Sequence, residues 1–106
     1  MPEDKLYEVL GRYVERPEFR ISELRIGPTQ EVPWHFHTNV RDSFLVLEGN
    51  IRITMQKPDE EVLLAQSDIF QVQPGRPHRV TNAGQKSAVF MLLQGVGKFD
   101  FKAIKE

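Results

Sequence analysis

The sequence predicts an all-β domain, either a sandwich or a small barrel. Three observations carry this expectation. Seven glycines and seven prolines are spread along the chain and cut it into short segments. Several of those segments alternate apolar with polar residues, as half-buried strands do. Turn chemistry stands between them, at Gly27-Pro28, Glu48-Gly49-Asn50, Lys57-Pro58-Asp59-Glu60 and Pro74-Gly75. A length of 106 residues leaves room for one core. The chain therefore reads as a single domain over 1–106, with an N-terminal arm to about residue 17, a barrel over about 18–95 and a tail over about 96–106.

The elements follow in order. From Lys5 to Val14, Leu6, Val9, Leu10 and Tyr13 stand at helical spacing, but Gly11 interrupts them, so a short helix or an irregular arm is expected. Phe19 to Ile26 alternates loosely and closes at Gly27-Pro28, a strand and its turn. Val32 to His37 is a second strand. Ser43 to Leu47 is apolar on both faces and too short for a stable helix, which suits a strand buried between two layers. Ile51, Ile53 and Met55 alternate with Arg52, Thr54 and Gln56, and Glu61 to Ala65 returns as the hairpin partner. Ile69 to Val72, His78 to Thr81 and Ala88 to Gln94 complete the set.

Composition excludes whole classes of function. The chain has no cysteine, which removes disulfides, thiolate metal sites and a cysteine nucleophile. A net charge of −1 argues against a nucleic-acid or anionic-membrane surface. The start, MPEDKLYEVL, lacks the basic and apolar regions of a signal peptide, and no apolar run has membrane-spanning length, so a cytoplasmic protein is expected. Ser43 and Ser67 have no nucleophile-elbow context, and Gly95 to Lys98 lacks the spacing of a phosphate loop.

The three histidines carry the chemistry. His35 and His37 stand two apart in a strand, so both imidazoles leave one face and can share an ion. Asp42 opens the next apolar strand, where a carboxylate is costly to bury unless it is paired or metal-bound. His78 follows the rigid bend Pro74-Gly75-Arg76-Pro77. A histidine pair on a strand is by itself an ordinary polar feature. Here, however, all three histidines lie beside strand-edge turns. Three imidazoles and one carboxylate suit a divalent first-row metal ion, and an octahedral site with four protein ligands leaves two positions open.

These residues also carry a resemblance. Gly27 to Gly49, GPTQEVPWHFHTNVRDSFLVLEG, is similar to the first signature of the cupin superfamily: a glycine, His-x-His, an acidic residue after four positions, and a glycine after six more. Ser67 to Asn82, SDIFQVQPGRPHRVTN, resembles the second, with Pro-Gly, two residues, His, three residues and Asn. The resemblance implies a small single-domain cupin, an antiparallel jelly-roll β-barrel, with His35, His37, Asp42 and His78 as metal ligands. It also implies one divalent ion, either Fe, Mn, Ni or Zn. There are departures: Asp42 stands where glutamate is usual, either as a ligand or as a residue orienting a histidine, and Ser67 replaces the usual glycine.

Alternation extends the reading to the pocket. If Asp42 points inward, so do Phe44 and Val46, and Ile53 is a candidate wall of the next strand. Gln71 and Gln73 share one face, which lines the pocket if it points inward and is solvated if it does not. Arg76 and Arg79 flank His78, either drawing an anionic ligand or forming surface ion pairs. The expected function is a metal-dependent enzyme acting on a small organic molecule, with dioxygenase-like oxygen chemistry preferred. The alternatives are a non-catalytic ligand-binding or sensor cupin, and a metal-dependent isomerase, cyclase or lyase. Cupins commonly pair, and Phe99, Phe101 and Ile104 with Tyr7, Leu10 and Tyr13 offer apolar material for a homodimer.

Overall fold

The computed structural model describes residues 6–104, and these form ten β-strands. They are β1 (Glu8–Arg16), β2 (Phe19–Ile26), β3 (Glu31–Phe36), β4 (Arg41–Glu48), β5 (Ile51–Met55), β6 (Glu60–Leu64), β7 (Ile69–Val72), β8 (His78–Asn82), β9 (Ala88–Gly95) and β10 (Lys102–Ala103). Five make one sheet in the order β1-β2-β9-β4-β7, and five make the other in the order β10-β3-β8-β5-β6. All pairings are antiparallel.

Period-2 alternation turns one face of each sheet onto the other. Leu24, Ile26, Phe44, Val46, Val72, Ala88 and Phe90 come from the first sheet, and Val32, Ile51, Ile53, Met55, Leu64 and Val80 from the second. Together they are the core. On β4 the expected parity holds: Asp42, Phe44 and Val46 are buried, while Ser43, Leu45 and Leu47 are only half-buried.

The first segment is a correction. No helix forms among its described residues, and residues 8–16 are the edge strand of the first sheet, paired with β2. Register shifts between Val9 and Gly11 and between Arg12 and Val14 break the two-residue period, which is why the apolar spacing imitates a helix. Lys5 lies outside the described residues. On β2 the buried residues are Ser22, Leu24 and Ile26, so Phe19 and Ile21 belong to the opposite face.

Two turn residues show what the motif departures mean. Gly75 has φ of 80° in the bend before His78, and its N–H donates to the His37 carbonyl at 2.7 Å, which ties that bend to the end of β3. Ser67 has φ of 76°, a conformation that costs a non-glycine residue about 1–2 kcal/mol. A left-handed backbone at this point accounts for the glycine usual in the motif.

Candidate metal centre

A bulge decides which way the histidines of β3 face. Val32 pairs with Val80 and His35 with His78, so two residues, Pro33 and Trp34, stand opposite the single Arg79. Val32 and His35 therefore share the inner face although they are three apart. Strict alternation counted from Val32 would have turned both histidines outward. His78 opens β8 beside both His35 and Met55. Asp42 comes from the opposite sheet, between Val72 and Gln94. The two sheets thus contribute three imidazoles and one carboxylate to one point.

All four side chains are buried, and one ligand atom from each lies within 4.8 Å of all the others. His37 Nε2 is 3.1 Å and His78 Nε2 is 3.0 Å from the same Asp42 Oδ2. Each Nδ1 donates to a backbone carbonyl: His35 to Pro33 at 2.7 Å, His37 to Asp100 at 2.5 Å and His78 to Arg76 at 2.9 Å. A carbonyl can only accept, so the proton of each neutral ring sits on Nδ1 and its Nε2 presents a lone pair. Two lone pairs held against one carboxylate oxygen repel unless a proton or a cation stands among them. The spacing fits a cation, because donors about 2.1 Å from an ion and at right angles are about 3 Å apart. The donor set could therefore hold a metal ion.

Titration follows the same geometry. Burial pushes Asp42 up, but hydrogen bonds and charge from His37 and His78 outweigh it and hold the carboxyl well below its ordinary range. Burial pushes His37 down, and its hydrogen bond to Asp42 overcomes this, so His37 is raised. Burial, followed by the neighbouring His78, lowers His35 to about 4. In the metal-free protein the unfolded chain therefore takes up a proton on His35 near 6.5, whereas the folded chain does not until about 4. More protons are bound in the unfolded state across that window, so stability falls as pH falls. The expected loss is about 3 kcal/mol between pH 6.5 and 4, at about 1.4 kcal/mol per pH unit. Urea denaturation across this range should show that slope in the wild type and lose it in His35→Gln. The raised His37 stabilises below 6.5 and loses that contribution at higher pH, and the lowered Asp42 acts below 3.8, so neither produces the slope.

A cavity of about 70 Å³ opens onto the cluster, lined among others by Arg12, Arg20, His35, His37, Gln94 and Phe99. This lining differs from the expected one at Phe44, Val46 and Ile53, and at Gln71 and Gln73 the solvated alternative holds. Phe44, Val46 and Ile53 face inward but lie in the packed core and do not line the cavity. Gln71 and Gln73 are exposed, because their neighbour Val72 takes the inner face, and Gln71 Nε2 donates outside to Ser43 Oγ at 3.2 Å. Arg76 and Arg79 form ion pairs with Glu60 at 3.0 Å and Glu31 at 3.4 Å.

Sequence reasoning missed three contributors. Gln94 is buried, and its Nε2 donates to Asp42 Oδ1 at 3.1 Å. It is the one amide on the inward row Ala88, Phe90, Leu92, Gln94, and a polar break in such a row was the available signal. Arg20 enters from β2 in register with Gln94. The tail also crosses the site: Phe101 stacks on His35 at 4.3 Å and 8°, and Phe99 lies 5.4 Å from His37. Asp100 clamps this crossing, its carboxylate accepting from Thr38 N–H at 2.8 Å. Gly97, with φ of 149°, lets the chain pass because a Cβ there would meet the Asn39 carbonyl at 2.6 Å. Phe99 and Phe101 thus close the pocket of their own chain.

Residues 22–94 match the family model described as the cupin domain. The chain belongs to the cupin family. Its fold is similar to that of an uncharacterized Klebsiella pneumoniae protein with a double-stranded β-helix domain, at 20% identity and a TM-score of 0.81, covering 100% of this chain and 90% of that one. It is also similar to the cupin domain of Schizosaccharomyces pombe Cnp3, at 19% identity and a TM-score of 0.73, covering 85% and 63%. Bacillus subtilis oxalate decarboxylase matches at 17% identity and a TM-score of 0.74 over 82% of this cupin, which spans only 24% of that chain. No curated protein sequence matches it.

Proposed function

We propose that this cupin binds one divalent first-row metal ion, Fe, Mn, Ni or Zn, through His35, His37, Asp42 and His78, and acts on a small organic molecule in the adjoining cavity. The observation that carries the reading is the pair of Nε2 lone pairs converging on Asp42 Oδ2 at 3.0 and 3.1 Å, each fixed from behind by an Nδ1–H bond. A metal there supplies Lewis acidity and open coordination positions. Around it, Gln94 orients Asp42, Phe99 and Phe101 shield the imidazoles from water, and the cavity admits only a small molecule.

Dioxygenase-like chemistry is preferred over proton shuttling. Among the described residues, the cavity is lined by no carboxylate and no histidine outside the metal set, so a side-chain base to partner the metal is lacking. Neighbours of the same fold supply precedent for a metal: the Bacillus subtilis oxalate decarboxylase has Mn(II) centres. The test is to load tag-free protein anaerobically with Fe(II) or Mn(II), then admit oxygen together with small diketones, thiols, phenols or short carboxylic acids. The expected result is oxygen uptake coupled to loss of one of these compounds and abolished in His35→Ala. Binding of one of them without turnover under any loading would move the chain to the sensor reading.

A further inference from the structure

We propose that the cavity takes a small carboxylate, anchored by the guanidinium of Arg20 with Arg12 beside it, at the end remote from Asp42. The inference deepens the proposed function by naming the class of ligand, and it rests on that reading for which end of the ligand faces the metal. The anchor itself consists only of this chain's side chains.

Arg20 is an anomaly on the inner row Arg20, Ser22, Leu24, Ile26 of β2. Its Nε is buried without a hydrogen-bond partner. No carboxylate among the described residues lies within ion-pair distance of it. Its cross-strand neighbour Glu15 acts only at longer range, and its guanidinium is covered by the Phe99 ring, with 3.9 Å from Cζ to the ring centroid. Arg12 enters the same cavity from β1 and spends Nη1 on Ser22 Oγ at 3.0 Å. Burial, and then the charge of Arg12, push Arg20 down, so the two cations share the cavity at a cost.

Four other arginines give the contrast, while Arg16 and Arg41, which also lack a carboxylate partner among the described residues, are exposed to solvent. Arg25, Arg52, Arg76 and Arg79 each reach a carboxylate, at Glu8, Glu61, Glu60 and Glu31. Arg20, half-buried, has no such partner. An unpaired donor and two unneutralised charges in one cavity are the complement of an anion, and the planar fork of a guanidinium matches a carboxylate. Size narrows the class. A cavity of about 70 Å³ has room for about five to seven waters at roughly 10–15 Å³ each, so the acid has only a few heavy atoms.

The experiment uses metal-free protein and follows the Arg20 Nε–H resonance by NMR during titration with acetate, its neutral analogue acetamide, and inorganic phosphate. Acetate is expected to shift that resonance saturably, with acetamide leaving it in place and phosphate binding more weakly than acetate. Arg20→Gln should weaken acetate binding at least tenfold, followed through backbone resonances of the cavity, and Arg12→Gln about threefold. Equal responses to acetate and acetamide, or acetate binding unchanged in both variants, would overturn the anchor. Tighter binding of phosphate than acetate would overturn the carboxylate assignment. If Arg20→Gln does not fold, the acetate–acetamide contrast and the exposed Arg12→Gln still decide. With no metal in this titration, the two proposals fail separately: a chain that takes up no Co(II) but passes the acetate test loses the metal reading and keeps the anchor.

Discussion

Asp42→Asn is expected to weaken divalent-metal binding by more than a hundredfold while leaving the fold intact. The substitution keeps the size of the side chain and its contact with Gln94, but removes the charge on which His37 and His78 converge. The magnitude also separates the two roles open to Asp42. A residue that only orients ligating histidines typically accounts for about 10–100-fold in affinity, whereas loss of a direct ligand exceeds that range. Competition titration against a chromophoric chelator measures it. The geometry favours direct ligation, because Oδ2 stands at 3.0–3.1 Å from both Nε2 atoms, on the side where those lone pairs point.

Phe44→Ala is expected to destabilise the metal-free protein by about 3–5 kcal/mol. Phe44 is 1% exposed, lies 5.7 Å from Phe90 between ring centroids and meets His78 edge-on at 6.4 Å. Its removal leaves a void in the middle of the core and takes away one wall of His78, so metal affinity should fall with stability. Urea denaturation with and without metal separates the two effects. Gln71→Ala, an exposed change on the outer face of β7 beside Val72, the strand partner of Asp42, is the control and should stay within about 0.5 kcal/mol.

Legibility in the sequence followed regularity of register. β5 and β8 pair without a shift, and the alternation of Ile51, Ile53 and Met55 gave their facing directly. The convergence of the candidate metal ligands was legible because these residues are few and chemically distinctive: His35 and His37 share a face by parity, and the bend at Gly75 fixes the start of β8. The edge strand β1 was not legible, since its two register shifts scrambled the period that identifies a strand. Arg20 and Gln94 escaped because a charged or amide residue on a strand reads as solvated by default, and only the three-dimensional neighbours reveal that they face inward. Phe99 and Phe101 escaped for a different reason. Their contacts with His35 and His37 are long-range, and an aromatic tail has no periodicity from which a partner can be inferred.

Isothermal titration of tag-free, metal-free protein with Co(II), with visible absorption recorded on the same samples, tests the metal centre most directly. The expected result is one Co(II) per chain with imidazole–carboxylate absorption, and no binding in a His37→Ala/His78→Ala double variant that retains the β-sheet circular dichroism of the wild type. Absence of Co(II) binding in the wild type, or a stoichiometry of one that survives in the folded double variant, would contradict it.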